Sequence, residues 1–422
     1  MSREIGKGSY SKVYKRNVKG VEQAMKICEL DREIVKSSAR ELHAMHQLRE
    51  CTGHISIINQ FLHRGKSGTD TINIHMECAD IDLHEYLKKN KVSDQCQLKW
   101  TIQLVKGLFT MHKNRMFHRD IKPDNILIKG NDVLFCDYGL TRQFSCDCVH
   151  GTAYVVTRWW RAPELLLCER HDTKLYTPEM DVWSLGVVLY EMILNKGFAH
   201  VPKEEAMDAI DLNISCLSND CKEVDPRLRK VLQGCLVKDP KNRFNIVDCM
   251  LSLQIITEDE HEKLQTKMKQ NGVCNKVCTP LQPDKHRYEF EEWEKRWIYF
   301  HELDKFTALN KSIKAHTLLL YDAETTSHIR FPPRIRFILC VIVACCIFGS
   351  GNESVIKHYL ENDESRDWPF TEENDGWPLI ALSEFICTTN MGCLSQWENG
   401  EYDWYEYVFE ATMNPYKRIK RD

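Results

Sequence analysis

The stretch His118-Arg119-Asp120-Ile121-Lys122-Pro123-Asp124-Asn125 constrains the fold of this chain more than any other segment. An amphipathic run with apolar residues at helical spacing precedes it and predicts a helix. Residues 126–136, which follow it, predict a strand, a turn and a second strand. This hairpin returns the chain, so that Asp137-Tyr138-Gly139 lies beside the polar loop. The sequence therefore predicts that carboxylates, an amide and a lysine meet at one place.

These two motifs resemble the protein-kinase patterns H-R-D-x-x-x-x-N and D-F-G, with tyrosine in place of phenylalanine. Phosphoryl transfer is mostly positioning and charge neutralisation. The resemblance implies that Asp120 orients the attacking hydroxyl and accepts its proton. Asn125 and Asp137 would hold the Mg²⁺ ions that bridge the phosphates of ATP. Lys122 would offset charge on the transferred group, and a lysine here is typical of kinases that act on serine or threonine.

A glycine-rich segment opens the chain and resembles the kinase loop G-x-G-x-x-G-x-V. A serine, Ser11, stands at the position of the third glycine. Glycine lets the backbone come close to phosphates, although a G-x-G alone is also typical of an ordinary hairpin turn. The resemblance implies that the nucleotide contacts Ile5, Gly6, Gly8 and Val13.

Lys26 matches the lysine of the kinase V-A-I-K strand and would bind the α- and β-phosphates. Such a lysine needs a counter-charge, and Glu41 is its predicted partner, with Glu33 as the alternative if the register slips. We expect Ser37 or Ser38 to cap the helix that carries Glu41. This helix also resembles the cyclin-contacting helix of cyclin-dependent kinases.

An alternating strand at residues 72–76 runs into Glu77-Cys78-Ala79-Asp80. By resemblance this segment is the hinge between two lobes, and its backbone at Glu77 and Ala79 would bind adenine. A plain core strand is the alternative, and it is compatible with the hinge interpretation.

Residues 157–164 have the sequence T-R-W-W-R-A-P-E, which resembles T-R-W-Y-R-A-P-E of the branch that holds the cyclin-dependent and mitogen-activated kinases. The resemblance implies that Thr157 forms a hydrogen bond near Asp120 and Lys122. It also places Arg158 in a pocket that favours proline after the phosphorylated residue. These features predict a proline-directed kinase.

The segment before this motif carries candidate regulatory residues. Thr152 and Tyr154 lie where mitogen-activated kinases have phosphorylation sites, and Arg119 would pair with a phosphate there. Unmodified loop hydroxyls are the alternative. Two structural pairings are also implied by resemblance: Asp181 with the backbone of the catalytic loop, and Arg243 with Glu164.

The predicted fold is α+β: a two-lobed kinase domain with a small β-rich N-lobe and a larger helical C-lobe, followed by an all-α domain. The predicted boundaries are 1–79 and 80–255 for the lobes, 256–284 for a linker and 285–422 for the helical domain. Residues 315–322, 333–347 and 409–416 in the last region weakly resemble parts of a cyclin box, and such a domain would activate the kinase in cis. A generic helical extension and membrane attachment are the alternatives. The apolar run 337–348 is shorter than the ~20 residues of a membrane span, so we expect a buried helix.

Net charge and the sequence at the start of the chain limit the classes of partner that we expect. The formal net charge of −4 implies no general affinity for nucleic acid. The start of the chain has no basic-then-apolar leader, so we predict an intracellular protein, cytoplasmic or nuclear, with reduced cysteines. The predicted function is a serine/threonine protein kinase that uses ATP and Mg²⁺ on protein substrates, with no membrane partner. The alternative is a pseudokinase that acts as a scaffold or binding module.

Overall fold

The computed structural model of this 422-residue chain describes most of its first 271 residues and two short segments beyond them. The described residues are 3–7, 11–29, 32–63, 71–143, 150–151, 158–167, 174–175, 177–202, 205–271, 317 and 339–344.

An antiparallel sheet forms the N-terminal lobe, and within the described residues its strand order is β1-β2-β3-β5-β4. Its strands are β1 (Arg3–Lys7), β2 (Ser11–Val18), β3 (Val21–Glu29), β4 (Ile57–His63) and β5 (Thr71–Glu77). Lys19 and Gly20 join β2 to β3, and their positive φ angles of 52° and 87° suit the twist of a tight hairpin. The sheet brings the glycine-rich strand, Lys26 and the predicted hinge into one lobe.

Helix α1 (Arg32–Gln47) follows β3, and its start differs from the prediction. We expected Ser37 or Ser38 to cap the helix, and this is wrong because the helix begins a full turn earlier. Ile34 and Val35 are 7% and 0% exposed, so their burial extends the helix toward its N-terminus. The Ser37 hydroxyl instead donates to the carbonyl of Ile34 at 2.9 Å. This helical register places Glu41 on the face that meets Lys26 of β3.

The C-terminal lobe is mainly helical, with short strands around the catalytic loop. Its helices are α2 (Leu83–Lys89), α3 (Asp94–Lys113), α4 (Pro163–Leu167), α5 (Pro178–Leu194), α6 (Ala206–Asp220), α7 (Pro226–Cys235), α8 (Ile246–Ser252) and α9 (Glu258–Asn271). The strands that we number β6 to β10 are Ile81–Asp82, Met116–Phe117, Ile126–Lys129, Asp132–Phe135 and Arg142–Gln143. Strands β8 and β9 form the hairpin that the sequence predicts after the catalytic loop.

Helix α5 is the buried centre of this lobe. Its residues 180–193 are all buried, including the polar side chains of Asp181, Ser184 and Glu191. Gly186 allows a close approach to α7, since a Cβ there would lie 2.6 Å from the Cβ of Cys235. A helix enclosed on all sides is rigid, and a group attached to it makes a fixed anchor for a loop.

The predicted linker begins with a packed helix. Helix α9 covers α8, and His261 and Gln265 both contact the Asp248 carboxylate, at 2.7 and 3.0 Å.

Residues 339–344, at the centre of the apolar run, are helical, are at most 1% exposed and belong to the same hydrophobic core as the two lobes. The other predicted C-terminal helices lie outside the described residues, apart from the buried Thr317. No helix in the described part of the chain is long and apolar enough to cross a membrane.

Candidate active site

The loop 118–125 is anchored by hydrogen bonds to the buried carboxylate of Asp181 on α5. One oxygen of Asp181 accepts from the backbone N–H of His118 at 2.8 Å, and the other from that of Arg119 at 2.9 Å. His112 Nε2 lies 3.2 Å from the same carboxylate. Burial acts to raise the pKa of Asp181, but these hydrogen bonds and the nearby histidines hold it below its ordinary value. Arg119 has a φ of 68°, so the loop is strained and the Asp181 contacts hold it in place.

Asp120, Lys122 and Asn125 meet within this loop. One Asp120 carboxylate oxygen, Oδ2, accepts from Lys122 Nζ at 2.7 Å and from Asn125 Nδ2 at 2.9 Å. Asn125 Nδ2 also donates to the Asp120 carbonyl at 2.8 Å. The second carboxylate oxygen, Oδ1, is buried and has no hydrogen-bond partner among the residues that the structure describes. A buried acceptor without a donor is costly, so Oδ1 is suited to a group that brings its own proton.

Lys26 lies between two carboxylates that come from distant parts of the chain. Its Nζ lies 2.8 Å from both oxygens of Glu41 and 3.1 Å from Oδ1 of Asp137. The Lys26 and Glu41 side chains are 14% and 4% exposed. This contact joins β3, α1 and the start of the activation segment, and it is the pairing that the sequence predicts.

Burial and the neighbouring charges shift the pKa values of Lys26, Glu41 and Asp137. Burial alone would lower the pKa of Lys26, but Asp137 and Glu41 raise it well above its ordinary value. Burial raises the pKa of Glu41, against the opposing charge of Lys26. The Lys26 cation holds the pKa of Asp137 below its ordinary value. Lys26 and Asp137 are therefore both charged at neutral pH.

Asp137 combines an unusual backbone with an accessible carboxylate. Its φ is 59°, a left-handed conformation that aspartate tolerates better than most residues. Its side chain is 48% exposed, while Tyr138 and Gly139 behind it are buried. The carboxylate thus faces open space while the backbone is fixed by the core.

The predicted hinge begins at Glu77, the last residue of β5, and continues through residues 78–80 outside the sheet. The Glu77 carboxylate accepts from the N–H of Ser56 at 2.8 Å and pairs with Lys129 of β8, so it ties the two lobes together. The N–H of Asp80 binds the Ile128 carbonyl at 2.9 Å. Within the described residues, the N–H of Ala79 binds no backbone acceptor, and it can donate to a ligand.

The end of the activation segment is anchored by a buried ion pair. Arg243 Nη1 and Nη2 lie 2.7 and 2.9 Å from the two oxygens of Glu164, in bidentate geometry. The Arg243 guanidinium also lies 5.0 Å from the ring centroid of Trp183 on α5. This is the pairing that resemblance implied, and it joins residues 79 positions apart.

The structure describes only some of the other predicted site residues. Ile5 and Gly6 lie on β1 and Val13 on β2, with Gly6 opposite Val13 in the ladder. Gly8, Thr152, Tyr154 and Thr157 lie outside the described residues, and only the backbone of Arg158 is described, in a short 3-10 turn. Arg119 Nη1 lies 3.5 Å from the Leu140 carbonyl, at the start of the activation segment.

Sequence reasoning missed two residues that hold the Asp137 segment. Arg40 Nε donates to the Gly139 carbonyl at 2.7 Å, from the helical position next to Glu41. His54 Nδ1 lies 3.0 Å from the Tyr138 hydroxyl. The position of Arg40 beside Glu41 was a usable signal for the first contact. No local pattern signals the second, because its partners are 84 residues apart.

The donor set fits Mg-ATP. Asn125 and Asp137 offer oxygen ligands of the kind that Mg²⁺ prefers, and Lys26 offers a cation for phosphate oxygens. The half-exposed Asp137 carboxylate leaves room for a metal ion, and the partnerless Asp120 Oδ1 fits a hydroxyl donor. This arrangement is chemically suited to a nucleotide phosphate and an acceptor hydroxyl.

A β-sheet lobe and a helical lobe that meet at this set of groups define a protein kinase. The sequence model of the family described as protein kinase domain matches residues 1–253, and the chain belongs to that family. Its relatives place it in the branch of eukaryotic serine/threonine kinases that holds the cyclin-dependent and mitogen-activated kinases. Kinases of this type use ATP and Mg²⁺.

The similar proteins are plant mitogen-activated protein kinases, among others. Mitogen-activated protein kinase homolog NTF3 of Nicotiana tabacum is 32% identical, over 50% of this chain and 64% of the relative. Mitogen-activated protein kinase 2 of Arabidopsis thaliana is 35% identical, over 44% and 48%. Mitogen-activated protein kinase 4 of Oryza sativa subsp. japonica is 32% identical, over 58% and 75%. The chain thus spans less than two thirds of the first two relatives.

Proposed function

We propose that this chain is a serine/threonine protein kinase that transfers the γ-phosphoryl group of Mg-ATP to protein hydroxyls inside the cell. The observation that carries the proposal is the convergence of Asp120, Lys122 and Asn125 with the Lys26–Glu41–Asp137 group. These groups come from both lobes. A pseudokinase scaffold has no need for all of them, which is why we favour an enzyme.

We propose a different task for each oxygen of Asp120. Asn125 and Lys122 hold Oδ2, so the carboxylate cannot rotate freely. The partnerless Oδ1 is then free to accept the proton of a serine or threonine hydroxyl and to orient its oxygen for attack. Lys122, held 2.7 Å from the same carboxylate, supplies positive charge where the transferred group passes.

Lys26 and Asp137 are the side chains that we expect to bind the nucleotide and its metal ion. Asn125 and Asp137 would hold Mg²⁺, which would supply positive charge against the phosphates of the nucleotide. Lys26 would bind phosphate oxygens while Glu41 keeps its side chain in place. Glu77 and Ala79 would bind the adenine through their backbone, which the free N–H of Ala79 supports within the described residues.

The substrate proposal is finer: a serine or threonine followed by proline. It rests on Arg158, Thr157 and the mitogen-activated kinases among the relatives. With purified full-length chain, Mg²⁺ and labelled ATP, we expect a Ser-Pro peptide to be phosphorylated at least about tenfold faster than its Ser-Ala counterpart. Arg158→Ala should narrow that ratio, while a Tyr-Pro peptide should remain unlabelled. Equal rates on the Ser-Pro and Ser-Ala peptides would remove the proline preference, and labelling confined to tyrosine would overturn the proposal.

Regulation through the activation segment is part of the proposal. Thr152 and Tyr154 are the candidate phosphorylation sites, and Arg119 is the candidate partner of the phosphate. The side chain of Arg119 already reaches the start of that segment, at the Leu140 carbonyl.

A contribution of the C-terminal region in cis is supported by burial. Residues 38–45 of α1 are all 0–9% exposed, so two turns of this helix are enclosed on every side. Residues 339–344 are equally buried and share the hydrophobic core of the kinase lobes. We propose that the C-terminal region, whose sequence weakly resembles a cyclin box, helps to hold α1 and therefore Glu41 against Lys26.

The test of this contribution compares the full chain with a chain that ends at Asn271. We expect the shorter chain to keep nucleotide binding and to lose at least about tenfold in turnover, because α1 is less firmly held. Val341→Asp in the full chain should act in the same direction, since it buries a charge at a position that is 0% exposed. Undiminished turnover in both proteins would contradict activation in cis.

A further inference from the structure

The hydroxyl of Tyr138 is a group that the phenylalanine of the D-F-G pattern cannot provide. The Tyr138 ring is fully buried, and its centroid lies 5.5 Å from that of His118 and 6.1 Å from that of His54. Its hydroxyl lies 3.0 Å from His54 Nδ1 and 2.8 Å from the Phe135 carbonyl oxygen. Phenylalanine would pack in the same place without either polar contact.

The protons in this cluster can be assigned from its partners. Burial lowers the pKa of His54 to about 3, so the imidazole is neutral and carries one proton. His54 Nε2 lies 3.1 Å from the Gly107 carbonyl, which can only accept, so the proton is on Nε2. Nδ1 is then an acceptor, so the Tyr138 hydroxyl shares its one proton between His54 Nδ1 and the Phe135 carbonyl. The Phe135 carbonyl also accepts the N–H of Ile55 at 2.9 Å, so it keeps one donor when the tyrosine hydroxyl is removed.

His54 is a rigid anchor, because packing against α3, a hydrogen bond to β9 and burial all restrain its loop. Its loop lies so close to α3 that a Cβ on Gly53 would be 3.2 Å from the Cα of Gly107. The N–H of Phe135 donates to the Gly53 carbonyl at 2.9 Å, which ties the loop to β9. His54 is 2% exposed. A hydrogen bond to such an anchor restrains whatever carries its donor.

We propose that the Tyr138 hydroxyl, through its hydrogen bond to His54, is a positioning group that holds the neighbouring Asp137 carboxylate in place for the metal ion. Asp137 precedes Tyr138 in the chain and has a strained φ of 59°, so the ring fixes the backbone from which the carboxylate projects. This inference rests on the proposed function only for the role of Asp137 as a metal ligand.

The test measures nucleotide affinity with and without Mg²⁺ on the full chain. Tyr138→Phe should weaken Mg²⁺-dependent ATP binding about three- to tenfold, the value of one hydrogen bond, and leave metal-free ATP binding unchanged. His54→Gln keeps a donor toward Gly107 but loses the acceptor toward Tyr138, so it should also weaken Mg²⁺-dependent binding, by no more than Tyr138→Phe does. The double variant should be no weaker than Tyr138→Phe alone, because the hydroxyl that His54 would contact is already absent.

The matched control is Tyr190→Phe. It also removes a buried tyrosine hydroxyl, which lies 3.0 Å from Asn213 Oδ1 in the C-lobe, and it should leave Mg²⁺-dependent binding as in the parent protein. Unchanged Mg²⁺-dependent binding in Tyr138→Phe, an equal loss in the control, an equal loss without Mg²⁺ or additive losses in the double variant would each overturn the inference.

Amide hydrogen exchange across residues 136–143 provides a readout that needs no nucleotide. We expect faster exchange in Tyr138→Phe and unchanged exchange in Tyr190→Phe. If the parent protein binds no Mg-ATP but exchange still rises in Tyr138→Phe, the proposed function fails while the positioning role of the hydroxyl stands. Unchanged exchange overturns the positioning role, whether or not the protein binds ATP.

Discussion

Replacing Asp120 with asparagine should lower turnover by about 10²–10⁴-fold while ATP binding changes little. The amide keeps the shape of the side chain and can still contact Asn125 and Lys122, but it cannot accept a proton from the acceptor hydroxyl. Because the base acts on the protein substrate, the loss should appear in kcat. The measurement is steady-state phosphorylation of a serine peptide, with ATP affinity determined separately by titration.

Asp124→Asn is the matched control, since it makes the same chemical change at an exposed position of the same loop. We expect its turnover to stay close to that of the parent protein. Equal, measurable turnover in Asp120→Asn and the parent protein would contradict the role of Asp120 as the base, whereas an absence of turnover in the parent protein would contradict the enzyme proposal and favour the scaffold alternative. Equal losses in the two variants would show that the loop tolerates no change, and would remove the special role of Asp120.

Local sequence patterns were sufficient for much of the fold and for the centre of the site. The helical period before residue 113 and the turn at Gly130 predict α3 and the β8–β9 hairpin, and both are present. The motif spacing also brings Asp120 and Asn125 into contact, because they are only five positions apart in one loop. Such features depend on residues that are close in sequence, so a short sequence pattern is enough to predict them.

Features that depend on packing were harder to predict. The start of α1 was placed too late, because the burial of Ile34 and Val35 decides it and the serine pattern does not. The contact of His54 with Tyr138 requires the close approach of Gly53 and Gly107, which no short pattern encodes. Resemblance to a family points to phenylalanine at Tyr138, so it gives no reason to look for a hydroxyl partner.

Lys26→Met should lower turnover by about 10²–10³-fold, the usual loss when one electrostatic group of an active site is removed. It should also destabilise the fold by about 3–5 kcal/mol, because Glu41 is left buried without its cation. The pKa of Glu41, already raised by burial, should rise further, since Lys26 is the charge that opposes the shift. Urea denaturation and peptide phosphorylation measure the two effects separately.

A second substitution separates the structural role of Lys26 from its role toward phosphate. Lys26→Met combined with Glu41→Leu removes both charges and should recover most of the lost stability, because an apolar pair replaces an unpaired carboxylate. Turnover should not recover, since no cation remains to bind phosphate oxygens. Lys15→Met is the control: its pair with Glu22 is 2.7 Å long but accessible to solvent, so its loss should leave both the free energy of unfolding and turnover close to those of the parent protein. Recovery of turnover in the double variant would mean that Lys26 acts only by neutralising Glu41, and would contradict its assignment to the nucleotide.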